Sequence, residues 1–143
     1  MTKMITRIAI CAIALASLTT SAHALAPFKK SFQKKYVDPS GNEDLKAAFK
    51  KASCNTCHVK GKKKTERNAY GDELAKLIEG DANKRIKAAR KAGGAQAGKD
   101  EQKNVLAELE KAFDEVAKLP SGDEKPTYGE LLKQHQLPVP LDK

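Results

Sequence analysis

Two cysteines three positions apart, with a histidine directly after the second, form the run Cys54-Asn55-Thr56-Cys57-His58, the part of this chain best suited to chemistry. Cys-x-x-Cys-His is the spacing of covalent c-type haem attachment. Each thiol can add across one of two vinyl groups on a porphyrin edge, while the imidazole that follows turns under the ring to ligate iron. Cys54 and Cys57 are then thioether anchors and His58 is the proximal ligand. Cys-x-x-Cys also serves thiol oxidoreductases and zinc sites. A thioredoxin-like redox site needs a βαβ context, and no convincing strand alternation runs through this chain. A structural zinc ion needs four ligands. Beyond these three, the chain after residue 24 offers only His135 and carboxylates.

The elements that position this motif begin after a leader. Lys3 and Arg7 give a basic start, Ile8 to Leu18 an apolar run of eleven residues, and Ser21-Ala22-His23-Ala24 a small-x-small cleavage site. These are the marks of a secretory signal peptide over residues 1–24. Eleven apolar residues fall well short of the roughly twenty that span a bilayer. Cys11 lies inside the apolar run and leaves with it. Residues 25–143 then make one domain, with no transmembrane segment, and its only cysteines are Cys54 and Cys57. No structural disulfide is available there, so a covalent haem has to tie the fold together.

The chain carries 27 Lys and Arg against 18 Asp and Glu, a net +9 that falls to about +7 without Lys3 and Arg7. An exported protein of this charge meets acidic protein surfaces or anionic membrane rather than nucleic acid. Tryptophan is absent and aromatic residues are 5% of the chain. Much of the apolar core is therefore expected to be porphyrin.

Phe28, Phe32 and Tyr36 recur every fourth residue and share one face of a short helix, either a lid against the haem or a plain packing face. Ser40 and Glu43 have the spacing of a capping box. Leu45, Ala48, Phe49 and Ala52 follow at helical spacing and lead straight into Cys54. An amphipathic helix that ends in Cys-x-x-Cys-His resembles the small monohaem c-type cytochromes, class I in particular. Class II proteins carry the motif near the chain's end. The resemblance implies an all-α domain wrapped around one haem c, and an electron carrier rather than an enzyme, exported to the periplasm. It also implies that a backbone carbonyl around Arg67 and Asn68 accepts the outer N–H of the proximal imidazole, a bond that orients the ring and raises its basicity.

Further along, Asp72 to Glu79 reads as a short helix with Leu74, Leu77 and Ile78 inward, and Asp81 caps a helix from Ala82 to Ala92. Residues 93–98 are a glycine-rich connection. Asp100 then caps the longest helix, Glu101 to Leu119, whose stripe is Val105, Leu106, Leu109, Ala112, Phe113 and Val116. By resemblance this late helix crosses the motif-bearing one, with Phe49 and Phe113 in contact. A C-terminal helical extension at about 126–143 departs from the family. It opens on a second capping box, Thr127 and Glu130, and places Tyr128, Leu131, Leu132 and His135 on one face.

The sixth iron ligand is where the chain departs most. Class I carriers use methionine, but Met1 and Met4 both lie in the leader. His135 is the imidazole left to serve as distal ligand. It can equally be a hydrogen-bonded or exposed histidine beside Gln134 and Gln136, and Tyr70, a lysine or an open position are alternatives. An open iron would make the protein a haem-based ligand sensor or a peroxidase-like protein. Lys60, Lys62, Lys63 and Lys64 follow the motif and form either a solvated loop or a lysine-rich face for acidic redox partner proteins.

Overall fold

The computed structural model describes residues 26–123 and 125–139. The expected leader, Cys11 and the last four residues lie outside the described residues. All the regular elements among the described residues are helical, as the periodicity of the sequence implies.

Helix α1 (Ala26–Phe32) widens into a π-helical turn over Gln33–Val37, closed by the Asp38 N–H donating to the Gln33 carbonyl at 2.9 Å. The expected aromatic face is present, with Phe32 2% exposed and Phe28 and Tyr36 packed at the margin of the core. Helix α2 (Glu43–Ala52) starts later than the Ser40 box implies. The Ser40 hydroxyl donates to the Val37 carbonyl and closes the preceding turn, Gly41 takes φ +64°, and Asn42 is the cap, its Oδ1 accepting from Leu45 N at 2.8 Å.

Helix α3 (Ala69–Lys76) begins three residues before the expected start, because Asn68 caps it. Its last turn stops short of Leu77, which is 46% exposed while Leu74 and Ile78 are buried. Helix α4 (Ala82–Val116) is capped by Asp81 as read, and it is two helices joined at a corner. Gly93 leaves helical geometry and Gly94 adopts φ +76°, a left-handed conformation that glycine enters without a Cβ clash. The limbs 82–92 and 95–116 run back antiparallel. A Cβ at Gly98 would stand 2.9 Å from the Arg90 Cβ, so the two helices touch there. Arg85 bridges the limbs, with Nε on Glu101 at 2.7 Å and a bidentate fork on Glu108 at 2.7 and 2.8 Å. The glycine-rich connection is thus a tight hairpin corner, and helix resumes well before Asp100.

Helix α5 (Tyr128–Lys133) opens on the expected Thr127–Glu130 capping box and packs against the end of α4, where Gly129 N–H donates to the Ala117 carbonyl at 2.9 Å. The core is built from the chain's own rings. Phe32 stacks on Phe49 at 5.4 Å and meets Phe113 and Tyr70 edge-on at 5.9 and 6.1 Å, so it joins α1, α2, α3 and α4. The ring contact between the motif-bearing helix and the late helix runs through Phe32 rather than directly from Phe49 to Phe113. Among the described residues no helix is long and apolar enough to cross a membrane.

Candidate functional site

The Cys54–His58 run is set up by an abrupt end to α2. Ser53 takes φ 51°, ψ −119°, a conformation that a side chain rarely adopts, and the chain turns into a 3₁₀ segment over Ser53–Thr56. Residues i and i+3 eclipse in such a turn. Cys54 lies in this turn and Cys57 closes it, with the N–H groups of Cys57 and His58 both donating to the Cys54 carbonyl at 3.2 and 3.1 Å. Thr56, 2% exposed, locks the turn from inside, its hydroxyl donating to the Ser53 carbonyl at 2.9 Å.

Beyond the turn, His58 pairs with Arg67 in an isolated antiparallel bridge, flanked by Val59 N–H to Glu66 O at 3.1 Å and Asn68 N–H to Cys57 O at 3.2 Å. Asn68 holds the site to α3. Its Nδ2 donates to the carbonyls of Asn55 at 3.0 Å and Thr56 at 3.2 Å, and its Oδ1 accepts from Gly71 N at 2.9 Å. A Cβ on Gly71 would lie 2.0 Å from the Cys57 oxygen, so the first turn of α3 rests directly on the motif backbone. The sequence signal for this clamp is Asn68 followed by Ala-Tyr-Gly, a cap one residue before a helix.

The electrostatics suit a ligand set. Both thiols are unbridged. Burial, with Cys54 as a smaller cause, pushes the Cys57 thiol up to about 12, so it is protonated at neutral pH. The attacking thiol of a thiol oxidoreductase requires the opposite, a depressed pKa that populates the thiolate, so Cys57 is not in the state of such a nucleophile. Burial also lowers the pKa of His58. The Glu66 backbone opposes this in the sense of a hydrogen bond, while Lys64 and Arg67 reinforce it. The neutral imidazole, the form that binds a metal, is favoured. The peptide that faces the ring is that of Glu66, one residue before the expected acceptor, but Nδ1 itself is buried with no hydrogen-bond partner. Tyr70, 1% exposed, is the other buried side chain with an unpartnered polar atom among the described residues.

His135 lies beyond the end of the last helix. Helix α5 ends at Lys133, His135 takes φ +60° in the turn beyond it, and its side chain is exposed. The expected apolar face keeps Tyr128, Leu131 and Leu132 and loses His135, because the helix stops before the position that would have brought the imidazole round. The stretch from Lys60 to Arg67 is exposed, and Lys64 Nζ donates to Asn55 Oδ1 at 3.2 Å, which fastens the basic loop to the motif. Among the described residues, no three His, Cys, Asp or Glu side chains are grouped to hold a metal ion between them. The chain matches no protein-family model, no curated protein and no solved structure.

Proposed function

We propose that this chain is an exported, periplasmic monohaem c-type cytochrome that carries electrons, with Cys54 and Cys57 as thioether anchors and His58 as the proximal ligand. The observation that carries the reading is the geometry of one turn: two unbridged thiols at a 3₁₀ segment, the second buried, followed directly by an imidazole with a buried, unpaired Nδ1 whose neutral form is favoured. The donor set fits a covalently held haem, and among the described residues its three donors fall short of the four a closed zinc site needs. Bound there, haem would supply an iron that accepts and returns one electron. The chain's own part is to hold still. Asn68 and Gly71 fix the motif backbone against α3, and Lys60, Lys62, Lys63 and Lys64 surround the attachment turn with positive charge that draws acidic redox partners.

The test is maturation in a bacterial host that attaches haem c. The purified protein should show a c-type spectrum, a mass raised by one haem, and no reaction of Cys54 or Cys57 with an alkylating reagent. Colourless protein with two free thiols sinks the reading.

A second reading, a ligand sensor or peroxidase-like protein with an open distal position, is favoured by the exposure of His135 together with the confinement of both methionines to residues 1–24. Carbon monoxide separates the two. Rapid binding to the reduced protein marks an open iron, and refusal marks a saturated one. An unchanged spectrum in His135→Ala removes bis-imidazole ligation.

A further inference from the structure

Residues 82–99, the two limbs that meet at Gly93-Gly94, carry Lys84, Arg85, Lys87, Arg90, Lys91 and Lys99 and no Asp or Glu. Arg85 turns inward to Glu101 and Glu108. The other five cations are exposed, and none of them is ion-paired to a described residue. The acids at the two ends are already engaged. Asp81 caps the first limb through Lys84 N–H, and Asp100 accepts from Gln96 Nε2 at 2.9 Å and from Lys103 Nζ at 3.5 Å.

Helical spacing gathers this charge on one side. In the first limb the positions withdrawn from solvent include Ala82, Ile86 and Ala89, and the 3.6-residue period puts Lys84, Lys87, Arg90 and Lys91 together on the side away from them. The second limb carries the corner about 28 Å along its axis from Phe113, which joins it to the rings of the core. The hairpin is thus an arm with a cationic outer face, separate in sequence from the basic loop that Lys64 fastens to Asn55.

Two kinds of partner carry matching negative charge, and the composition of the arm separates them. Protein interfaces are organised around aromatic and Arg anchors and are depleted in Lys and Ala. Apart from its cations, this arm exposes Asn, Gln, Ala and Gly, with no aromatic or large apolar side chain. A layer of anionic lipid headgroups requires charge alone, and each Lys or Arg brought to it strengthens binding about five-fold.

We infer that the hairpin of α4 is a peripheral anchor to an anionic phospholipid surface, with the Lys84, Lys87, Arg90 and Lys91 face against the headgroup phosphates. The arm has no exposed apolar side chain to insert between acyl chains, so the contact is electrostatic and salt reverses it. The inference is independent of the haem reading, because no residue of the Cys54–His58 run takes part in it.

The test is sedimentation of the purified chain with vesicles of phosphatidylcholine, alone or mixed with phosphatidylglycerol. Wild type should bind the mixed vesicles only, and release as salt rises from about 0.01 M to about 0.1 M. Replacing Lys84, Lys87 and Lys91 by Gln should weaken binding on the order of 100-fold, three cations at about five-fold each. The same three positions changed to Arg should keep it. Lys60→Gln with Lys62→Gln and Lys63→Gln removes equal charge from the other basic segment and should cost no more than a few-fold. Equal losses in the two Gln variants overturn the inference, since binding would then follow net charge and not the arm. Loss in the Arg variant, capture by phosphatidylcholine alone, or binding that survives high salt overturns it as well. A wild type that ignores the mixed vesicles yet is held by immobilised polyglutamate also overturns it, and assigns the arm to an acidic polypeptide.

Discussion

Ser53 and Gly71 stand on either side of the Cys54–His58 turn, and each makes a sharp prediction. Ser53 holds φ 51°, ψ −119° immediately before Cys54, and conformations of this kind cost on the order of 1–3 kcal/mol for a residue with a side chain. Ser53→Gly removes the clash and adds freedom to the unfolded chain, so a net gain of about 1 kcal/mol is expected in urea unfolding. Ser53→Val should lose stability, since a β-branched side chain is least tolerated at positive φ. Gly71 is the reverse case. Its backbone is ordinary helix, and the constraint is the Cys57 oxygen 2.0 Å from where a Cβ would be. Gly71→Ala has to push α3 off the motif, at a cost of about 1–3 kcal/mol or more. Lower yield of covalently attached haem, measured by absorbance per polypeptide, should accompany the lower midpoint. Cys54, Cys57 and His58 are picked out as candidates by spacing alone, and the structure places them at one turn. Ser53 and Gly71 were not, because one is a backbone conformation and the other a contact between residues fourteen apart, and neither leaves a local pattern.

At the level of elements, the hairpin within α4 depends on Arg85, whose guanidinium meets Glu101, Glu108 and the Glu79 carbonyl, with Glu79 N–H completing the ring on Glu108 at 3.0 Å. These side chains are only 21–28% exposed, so their hydrogen bonds are worth more than a surface pair. Arg85→Met should cost about 1–3 kcal/mol, read as a lower thermal midpoint. The same pair sets an acid dependence. Hydrogen bonding to Arg85 holds the Glu108 carboxyl below its ordinary 4.5 against the opposing effect of burial. A depressed carboxylate pKa contributes stability that is full above the unfolded value and is lost as the pH falls through the folded one. Wild-type stability should therefore decline from about pH 4.5 downward more steeply than that of Arg85→Met, in urea titrations at stepped pH. Equal slopes would show that the clamp does not carry the acid sensitivity. Helix positions were largely readable here, since Asp81 and the Thr127–Glu130 box cap as their spacing implies. Antiparallel return at Gly93-Gly94 was not, because two glycines specify a break without saying whether the chain then runs on or doubles back. His135 shows the same limit. Its spacing continues the α5 stripe, but the helix ends two residues earlier.

Over the whole molecule, charge is distributed so that the Cys54–His58 turn sits in a cationic region. From Leu45 to Thr65 the chain has seven lysines and no acidic residue, and the next acid is Glu66. The acidic side chains of α4 are engaged in part elsewhere: Glu110 and Asp114 bind Lys35, and Glu101 and Glu108 bind Arg85. Aromatic residues are too few for a conventional large core. Phe32 answers this by joining four elements at once, a role that composition could not reveal. If the lysines steer electron transfer, their effect can be read without knowing the natural partner, by oxidising the haem-loaded protein with small reagents of opposite charge. An anionic iron hexacyanide should react faster at low salt and slow as the Debye length contracts from about 30 Å at 0.01 M to about 10 Å at 0.1 M, while a cationic cobalt complex should accelerate. Lys62→Glu with Lys63→Glu should flatten both trends without moving the absorption spectrum, because both side chains are exposed and neither lies in the Cys54–His58 run. The same substitutions on a solvated loop remote from the electron's exit would leave both slopes as they are. That result would reject these lysines as the docking face and leave the haem assignment untouched, since Cys54, Cys57 and His58 do not depend on where a partner lands.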